Sequence, residues 1–293
     1  MLFPKLVKPY RVDEPDKFRL AQVDPADCCG LSIDKDEAKT MLADGIRRLA
    51  DLQERLYAQD RYAVLVIFQA MDAAGKDSAI KHVMSGINPQ GCAVHAFKAP
   101  SAEELDHDFL WRCAQRLPER GRIGIFNRSY YEETLVVRVH PEILVRQKLP
   151  PAVVTDRIWE QRFKDIRAFE RHLAHNGTII LKFFLHISRE EQRKRFLARI
   201  DEPAKRWKFS MGDVTERALW DKYMACYEDT IRHTSRPQAP WFAVPADNKW
   251  FARLVIAAAL VETLEALDLK FPKVEGEALA ELEKARKALM SEK

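Results

Sequence analysis

The residues best suited to chemistry lie in the segment QAMDAAGKDS, which begins at Gln69. It nearly matches the phosphate-binding pattern GxxxxGK(S/T), in which backbone N–H groups and the start of a helix hold phosphate oxygens. Gly75 lets the backbone approach a ligand closely, and Lys76 offers a mobile positive charge. In a plainer alternative, Lys76 and Asp77 only begin a helix. An apolar strand before the loop and a helix after it favour a phosphate site.

Two departures from that pattern predict a metal ion at the same site. Ala70 stands where the first glycine is usual, and Asp77 replaces the Ser or Thr that binds metal. Asp77 and Asp72 place two carboxylates beside an anion site, which is unfavourable unless a cation lies between them and the ligand. Mg²⁺ prefers such carboxylates together with phosphate oxygens and water, and Mn²⁺ accepts similar ligands. We predict that Asp72 and Asp77 hold Mg²⁺, although Asp72 could instead orient an attacking phosphate oxygen.

A second polar segment, GRIGIFNRSYYEE, begins at Gly121 and follows another predicted strand. Arg128 could clamp a phosphate with two hydrogen bonds. Asn127 is neutral, so we expect it to act by hydrogen bonding more than by binding metal. Glu132 and Glu133 add two carboxylates at the same strand end. The alternative is a solvated turn with surface charges.

A basic segment, SREEQRKRFLARIDEPAKRWKFS, begins at Ser188. A run of charges on a helix is commonly a solvated face, and we interpret Lys194 and Arg195 in that way. The end of the segment differs, because Trp207 and Phe209 alternate with cations. This mixture suits a lid that closes over phosphates. The candidate phosphate-binding cations of this segment are Arg189, Arg193, Lys205, Arg206 and Lys208.

The elements that must position these residues alternate along the chain. Apolar runs predict five strands, within residues 61–70, 91–99, 121–126, 178–187 and 240–246. Helical patterns predict helices at 34–59, 74–87, 101–117, 153–177, 188–200 and 248–267, and a charged helical tail from 275. Such alternation predicts an α/β fold, a parallel sheet with helices on both faces. Ligands bind such sheets at the carboxyl ends of the strands.

Composition argues against a disordered chain, a collagen and a disulfide scaffold. The 293 residues are 47% hydrophobic and carry a net charge of +4, which suits a folded domain and permits a polyanionic ligand. No CxxC pair occurs among the five cysteines, which fits a reducing cytoplasm. We expect no signal peptide, no membrane span and no nucleic-acid partner. Residues 1–30 are expected to form an arm that packs on the domain or on a partner.

Five blocks of the sequence resemble the polyphosphate kinase 2 family, in order, between about residues 20 and 268. The similarity is greatest to the short, single-domain members, often called class III. The blocks are QAMDAAGKDSAIKHVMSGINPQG, FKAPSAEELDHDFLWR, GRIGIFNRSYYEE, DEPAKRWKFS and PWFAVPADNKWFARL.

This resemblance implies a thymidylate-kinase-like P-loop fold, with three layers (α/β/α), a five-stranded sheet and a helical lid. It implies one kinase domain at 31–270, a lid at about 189–212 and a C-terminal helix at 271–293. It also implies a homodimer or homotetramer.

The activity that the resemblance implies is Mg²⁺-dependent transfer of a phosphoryl group from inorganic polyphosphate to AMP or ADP, giving ADP or ATP. Asp72, Lys76 and Arg128 would be catalytic, and Asp72 and Asp77 would hold the metal. Polyphosphate would bind to Gly75, Lys76, Lys81, Arg128 and the five candidate cations of the basic segment. Asn127, Glu132 and Glu133 would contact the nucleotide, and the two glutamates could instead assist a second metal ion.

Two other functions remain open from the sequence. One is a nucleoside monophosphate kinase of the same fold that uses ATP as the donor. The acid after Lys76 and the long basic segment argue against it. The other is a protein that binds nucleotide or polyphosphate without catalysis, which the acids and cations at several strand ends disfavour.

Overall fold

The computed structural model describes residues 3–31 and 33–292, so residues 1, 2, 32 and 293 of the predicted segments lie outside it. Its centre is a five-stranded sheet in which every neighbouring pair of strands is parallel. The strands are β1 (Ala63–Gln69), β2 (Cys92–Ala96), β3 (Ile123–Asn127), β4 (Thr178–His186) and β5 (Trp241–Pro245), in the spatial order β2-β3-β1-β4-β5. The five predicted strands and their parallel arrangement are confirmed.

Every residue of the central strand β1 is buried. Helices cover both faces of the sheet, so β1 has no solvent-facing side and its sequence shows no alternation of polar and apolar residues. The carboxyl ends of β1 and β3 are neighbours, since Phe68 pairs with Asn127 in the register of the two strands. The segments that follow these strands, which carry the predicted site, therefore emerge side by side.

Thirteen α-helices occur within the described residues. They are α1 (Phe3–Val7), α2 (Lys35–Gln59), α3 (Lys76–Val83), α4 (Ala102–Leu105), α5 (Trp111–Ala114), α6 (Val136–Val139), α7 (Glu142–Val145), α8 (Ile158–His175), α9 (Arg189–Asp201), α10 (Met211–Ala218), α11 (Trp220–Thr234), α12 (Lys249–Glu265) and α13 (Glu277–Ser291). Helices α2, α3 and α12 pack together, and α8 packs on β4 and on α11. The three-layer α/β/α prediction is confirmed.

One predicted helix is wrong in its extent. The pattern at 101–117 indicates a single helix, but the chain forms the short helices α4 and α5 with a break between them. The Asp108 carboxylate accepts the backbone N–H of Leu110 at 2.9 Å. Aspartate side chains compete in this way with the backbone hydrogen bonds of a helix. The pattern of residues at 101–117 does not reveal this competition.

The N-terminal arm packs against its own chain. Leu6, Val7 and Tyr10 are buried, and α1 lies on α12. Val12 continues the contact, since its N–H donates to the carbonyl of Trp241 in β5 at 2.9 Å. The arm is therefore part of the hydrophobic core of this domain.

A buried polar network supports the segment after β3. Lys182 of β4 is fully buried, and its ammonium group donates to Glu170 of α8 at 2.7 Å, to the Tyr131 hydroxyl at 2.9 Å and to the Thr234 carbonyl at 2.9 Å. The hydroxyls of Tyr130 and Tyr131 both donate to Glu170. Burial lowers the pKa of Lys182 to about 8, against the opposing effect of Glu170. The network fixes the 3₁₀ turn Tyr130–Glu133 to the sheet.

The segment predicted as a lid forms α9, the 3₁₀ helix Pro203–Lys208 and the start of α10. Its motion stays a prediction. Within the part of the chain that the structure describes, no helix has the length and apolar character that a membrane crossing requires.

Candidate active site

A cleft of about 500 Å³ opens around the loop between β1 and α3. Two acidic side chains line it, those of Asp72 and Asp77. Eight basic residues line it as well: Lys76, Lys98, Arg128, Arg195, Arg199, Lys205, Lys208 and Lys249. A cleft with such an excess of positive charge attracts a polyanion.

The loop itself explains why Ala70 can replace the usual first glycine. Left-handed backbone conformations occur at Ala73, with φ of 62°, and at Gly75, with φ of 106°. Ala70 is not among the residues with positive φ, so its position does not require glycine. Gly75 directly precedes α3, whose first residue is Lys76. The N-terminus of α3 therefore faces the cleft, as a phosphate loop requires.

Lys76 is held inside the loop. Its side chain is 9% exposed, and its ammonium group donates to the carbonyl of Ala70 at 2.8 Å. Burial lowers the pKa of Lys76, while the nearby carboxylate of Asp72 acts in the opposite direction. The lysine is thus fixed in place before any ligand binds.

Each of the two acids in the cleft has a partner from the segment after β3. Arg128 donates to Asp72 at 3.0 Å, and Asn127 donates its side-chain N–H to Asp77 at 2.6 Å. Arg128 also lies 3.9 Å from Glu132. The expectation that Asn127 acts by hydrogen bonding agrees with this contact. The two loops therefore position each other's polar groups.

The donor set fits a magnesium ion. Among the described residues, no group of three or more His, Cys, Asp or Glu side chains could enclose a metal. Asp72 and Asp77 nevertheless line one cleft with the phosphate loop. Mg²⁺ is commonly bound through one or two carboxylates, with phosphate oxygens and water as its other ligands. These two residues could hold such an ion once a phosphate is present.

A second pocket, of about 230 Å³, adjoins the cleft and shares Lys98, Ala99 and Arg128 with it. Glu132 and Glu133 both line it, and burial raises the pKa of each carboxyl. Apolar side chains make up part of the wall, including Phe109, Val136, Val137 and Ile143. A mixed pocket of this kind suits a group that is less charged than a phosphate chain.

The two glutamates of this pocket differ in their partners. Glu133 accepts from Gln147 at 2.8 Å and pairs with Arg162 at 3.1 Å. Glu132 has a longer ion pair, with Arg128 at 3.9 Å, and a hydrogen bond with Gln69. Glu132 is therefore the better placed of the two to exchange its partner for a ligand.

Several residues predicted for phosphate binding do not line the cleft. Arg206 is exposed and donates to the carbonyl of Ile200 at 2.9 Å. Arg193 is exposed and pairs with Glu190 at 2.8 Å. Lys81 and Arg189 are also exposed, outside the set that lines the cleft. A role for these four residues stays a prediction.

The interpretation of Arg195 as a solvated charge is wrong. Its side chain is 8% exposed and lines the cleft, whereas Lys194 is exposed. Gln192 and Phe196, three residues before it and one after, are buried on the same face of α9. That spacing was the available signal, because an apolar residue such as Phe196 marks the buried side of a helix. Lys98, Arg199 and Lys249 also line the cleft and were not predicted as site residues.

Comparisons with known proteins place the chain in one family. The family model for polyphosphate kinase 2 matches residues 32–272. The chain is 52% identical to an ADP-polyphosphate phosphotransferase of Rhodopseudomonas palustris, over 97% of this chain and 98% of that protein. It is 46% identical to an AMP/ADP-polyphosphate phosphotransferase of Meiothermus ruber, over 92% and 97% of the two chains. The crystal structure of polyphosphate kinase 2 from Arthrobacter aurescens superposes with a TM-score of 0.87, at 40% identity over 96% of each chain.

Proposed function

The chain belongs to the polyphosphate kinase 2 family, and from that membership together with its basic cleft we propose that it phosphorylates AMP or ADP from inorganic polyphosphate. The observation that carries the proposal is the set of eight cations around the phosphate loop. Polyphosphate carries roughly one negative charge per phosphate unit, so its binding requires many cations in a row. An ordinary nucleotide donor would need fewer of them.

We place the two substrates in the two adjoining pockets. The basic cleft takes the end of the polyphosphate chain, which then continues past the lid residues Lys205 and Lys208. The second pocket takes the nucleoside, with Glu132 available to its polar groups. Arg128 lines both pockets, which supports a position for it beside the phosphoryl group in transfer.

Asp72 and Asp77, which both line the basic cleft, would hold Mg²⁺. When bound, the ion screens the repulsion between the two phosphate chains and neutralises charge that develops during transfer. Asn127 contributes by fixing the carboxylate of Asp77 through the 2.6 Å hydrogen bond. Arg128 fixes that of Asp72 in the same way.

The chemistry requires no covalent enzyme intermediate. A terminal phosphate oxygen of AMP or ADP attacks the end phosphorus of polyphosphate, and the bond from that phosphorus to the bridging oxygen breaks. The nucleotide gains one phosphoryl group, and polyphosphate leaves one unit shorter. Lys76 and Arg128 stabilise charge on the transferring group, and Asp72 orients the attacking phosphate. The reverse reaction uses the same groups.

The test is a comparison of phosphoryl donors. Purified protein with Mg²⁺ is incubated with AMP or with ADP, and either long-chain polyphosphate or ATP is added as donor. We expect ADP and ATP to form with polyphosphate, at a rate well above that with ATP as donor. A preference for ATP would support a nucleoside monophosphate kinase instead. Binding of polyphosphate without any new nucleotide would support the non-catalytic alternative.

A further inference from the structure

Two side chains on one face of α9 donate hydrogen bonds to three consecutive carbonyl groups of the phosphate loop. Gln192 donates to the carbonyl of Asp72 at 3.0 Å. Arg195 donates through Nη1 to the carbonyls of Ala73 at 3.2 Å and Ala74 at 2.8 Å. A carbonyl oxygen carries partial negative charge. These contacts therefore direct the negative ends of the loop's peptide groups toward α9.

The other carbonyls of the loop are occupied as well. Lys76 donates to the carbonyl of Ala70 at 2.8 Å, and the N–H of Ala74 donates to that of Met71 at 3.3 Å. Each carbonyl from residue 70 to residue 74 thus accepts a hydrogen bond within the chain. None of them needs to face a bound anion, which leaves the loop favourable to phosphate.

Arg195 has no N–H group left for a ligand. A guanidinium carries five N–H donors. Its Nε donates to Glu191 at 2.8 Å, and its Nη1 serves the two loop carbonyls. Its Nη2 donates to the carbonyls of Ala246 at 2.7 Å and Asp247 at 2.9 Å, in the connection between β5 and α12. Arg195 therefore ties the loop to α9 and to a second strand end, and it acts on substrate through the loop.

We propose that Arg195, supported by Gln192, is a positioning residue that sets the conformation of the phosphate loop. It makes the first half of α9 a fixed part of the site. A lysine cannot replace Arg195. An ammonium group donates from a single nitrogen, so it cannot reach both the loop carbonyls and those of Ala246 and Asp247.

The test compares Arg195→Lys and Arg195→Ala with Lys194→Ala, an exposed neighbour on the same helix. We expect both Arg195 variants to lose about 10–100-fold in kcat. That loss is typical when a side chain that positions the ligand-binding groups is removed. The KM for nucleotide should change little, since the nucleoside lies in the other pocket. Lys194→Ala should keep wild-type kcat.

A chemical rescue separates positioning from a general structural role. Added guanidinium ion, at tens of millimolar, should raise the activity of Arg195→Ala about fivefold or more. The free ion can occupy the space left by the arginine side chain and donate to the same carbonyls. Ammonium should not. Wild-type kcat in Arg195→Lys would overturn the proposal, and so would a folded Arg195→Ala that guanidinium does not restore. If Arg195→Ala does not fold, Gln192→Leu replaces it, with a loss of about tenfold expected and unchanged kcat as the contrary result.

The activity measurements rest on the proposed function, whereas binding of tripolyphosphate does not. Calorimetry with tripolyphosphate should show weaker binding to both Arg195 variants than to Lys194→Ala. Wild-type protein that is inactive with polyphosphate would defeat the proposed function and leave this binding comparison as the test of Arg195. Equal binding by all three variants would count against the positioning role.

Discussion

Arg128 has a backbone φ of 65°, a left-handed conformation that residues other than glycine seldom adopt. Its backbone N–H donates to the carbonyl of Phe68 at 3.0 Å, and its guanidinium donates to the carboxylate of Asp72 at 3.0 Å. Such conformations cost about 1–3 kcal/mol and persist where the surroundings enforce them, often at functional sites. The strained backbone aims Arg128 at the boundary between the two pockets.

Replacing Lys76 with alanine should reduce kcat/KM by about 10²–10³-fold, or about 3 kcal/mol of transition-state stabilisation. The reason is the loss of a cation that the loop already holds in place. Initial rates with polyphosphate and each nucleotide measure the effect. Lys222→Ala, on the exposed side of α11, serves as the matched control. Full activity in Lys76→Ala would remove Lys76 from the mechanism.

Replacing Asn127 with aspartate should make the protein depend on a divalent cation for stability. The change converts the 2.6 Å hydrogen bond to Asp77 into a contact between two carboxylates. We expect a lower melting temperature than wild type in chelator and a larger rise on adding Mg²⁺, because the cation screens like charges. Asn127→Ala loses the hydrogen bond without adding charge and is the control. An equal Mg²⁺ effect in wild type and Asn127→Asp would contradict the assignment of Asp77 to the metal.

At the scale of elements, α10 is joined to the segment after β3 by a histidine. His140 lies 2.9 Å from Glu216 of α10 and 3.2 Å from Glu142. Burial lowers the pKa of His140, but the two carboxylates outweigh it, and the net pKa is raised. The folded state therefore favours the imidazolium. Its stabilisation is fully present below the ordinary pKa of 6.5 and is lost as the pH rises through the raised value.

The free energy of unfolding of His140→Gln should fall below that of wild type in acid, at about pH 5.5, and approach it at about pH 8.5, because only the imidazolium attracts the carboxylates. Denaturant titrations at several pH values measure this. Glu216→Gln removes the main partner and should abolish most of the pH dependence of the difference. A difference that grows with pH would show that the attraction has been assigned the wrong sign.

At the scale of the whole molecule, a small net charge conceals a strong local field. The chain carries a net charge of +4, yet eight basic residues line one cleft. Four of these eight have acidic partners, and acids and bases also pair elsewhere, as in the buried contact between Lys182 and Glu170. All five cysteines are free thiols, and a cytoplasmic location stays a prediction.

Helix α13 has no buried residue, and residues 271–292 are exposed throughout. Leu279, Leu282 and Leu289 are 47%, 56% and 66% exposed. Ending the chain after Pro272 should leave the thermal unfolding midpoint nearly unchanged, because no core contact is lost. We predict that α13 joins copies of the chain in an oligomer, so light scattering should then show a smaller mass. Leu282→Glu keeps helix propensity and should have the same effect. An unchanged mass in both variants would exclude α13 from assembly.

The sequence by itself determined the five strands, the main helices and the segments at which chemistry could occur. Buried parallel strands are continuous apolar runs, and a phosphate loop is a local pattern, so both can be recognised within a few neighbouring residues. The break between α4 and α5 was missed because one aspartate side chain competes with the helix. Family resemblance supplied the reaction and the substrates, which no local pattern contains.

Only the tertiary structure decided which of many charged residues belong to the site. Arg193 and Arg195 are two positions apart and look alike in sequence, yet the first is exposed and the second is buried against the loop. The pairing of Asn127 with Asp77 joins residues 50 positions apart. Such contacts depend on how strand ends and a helix face meet in space. The spacing of Phe196 shows at most which face of the helix is buried. It does not show which loop that face contacts.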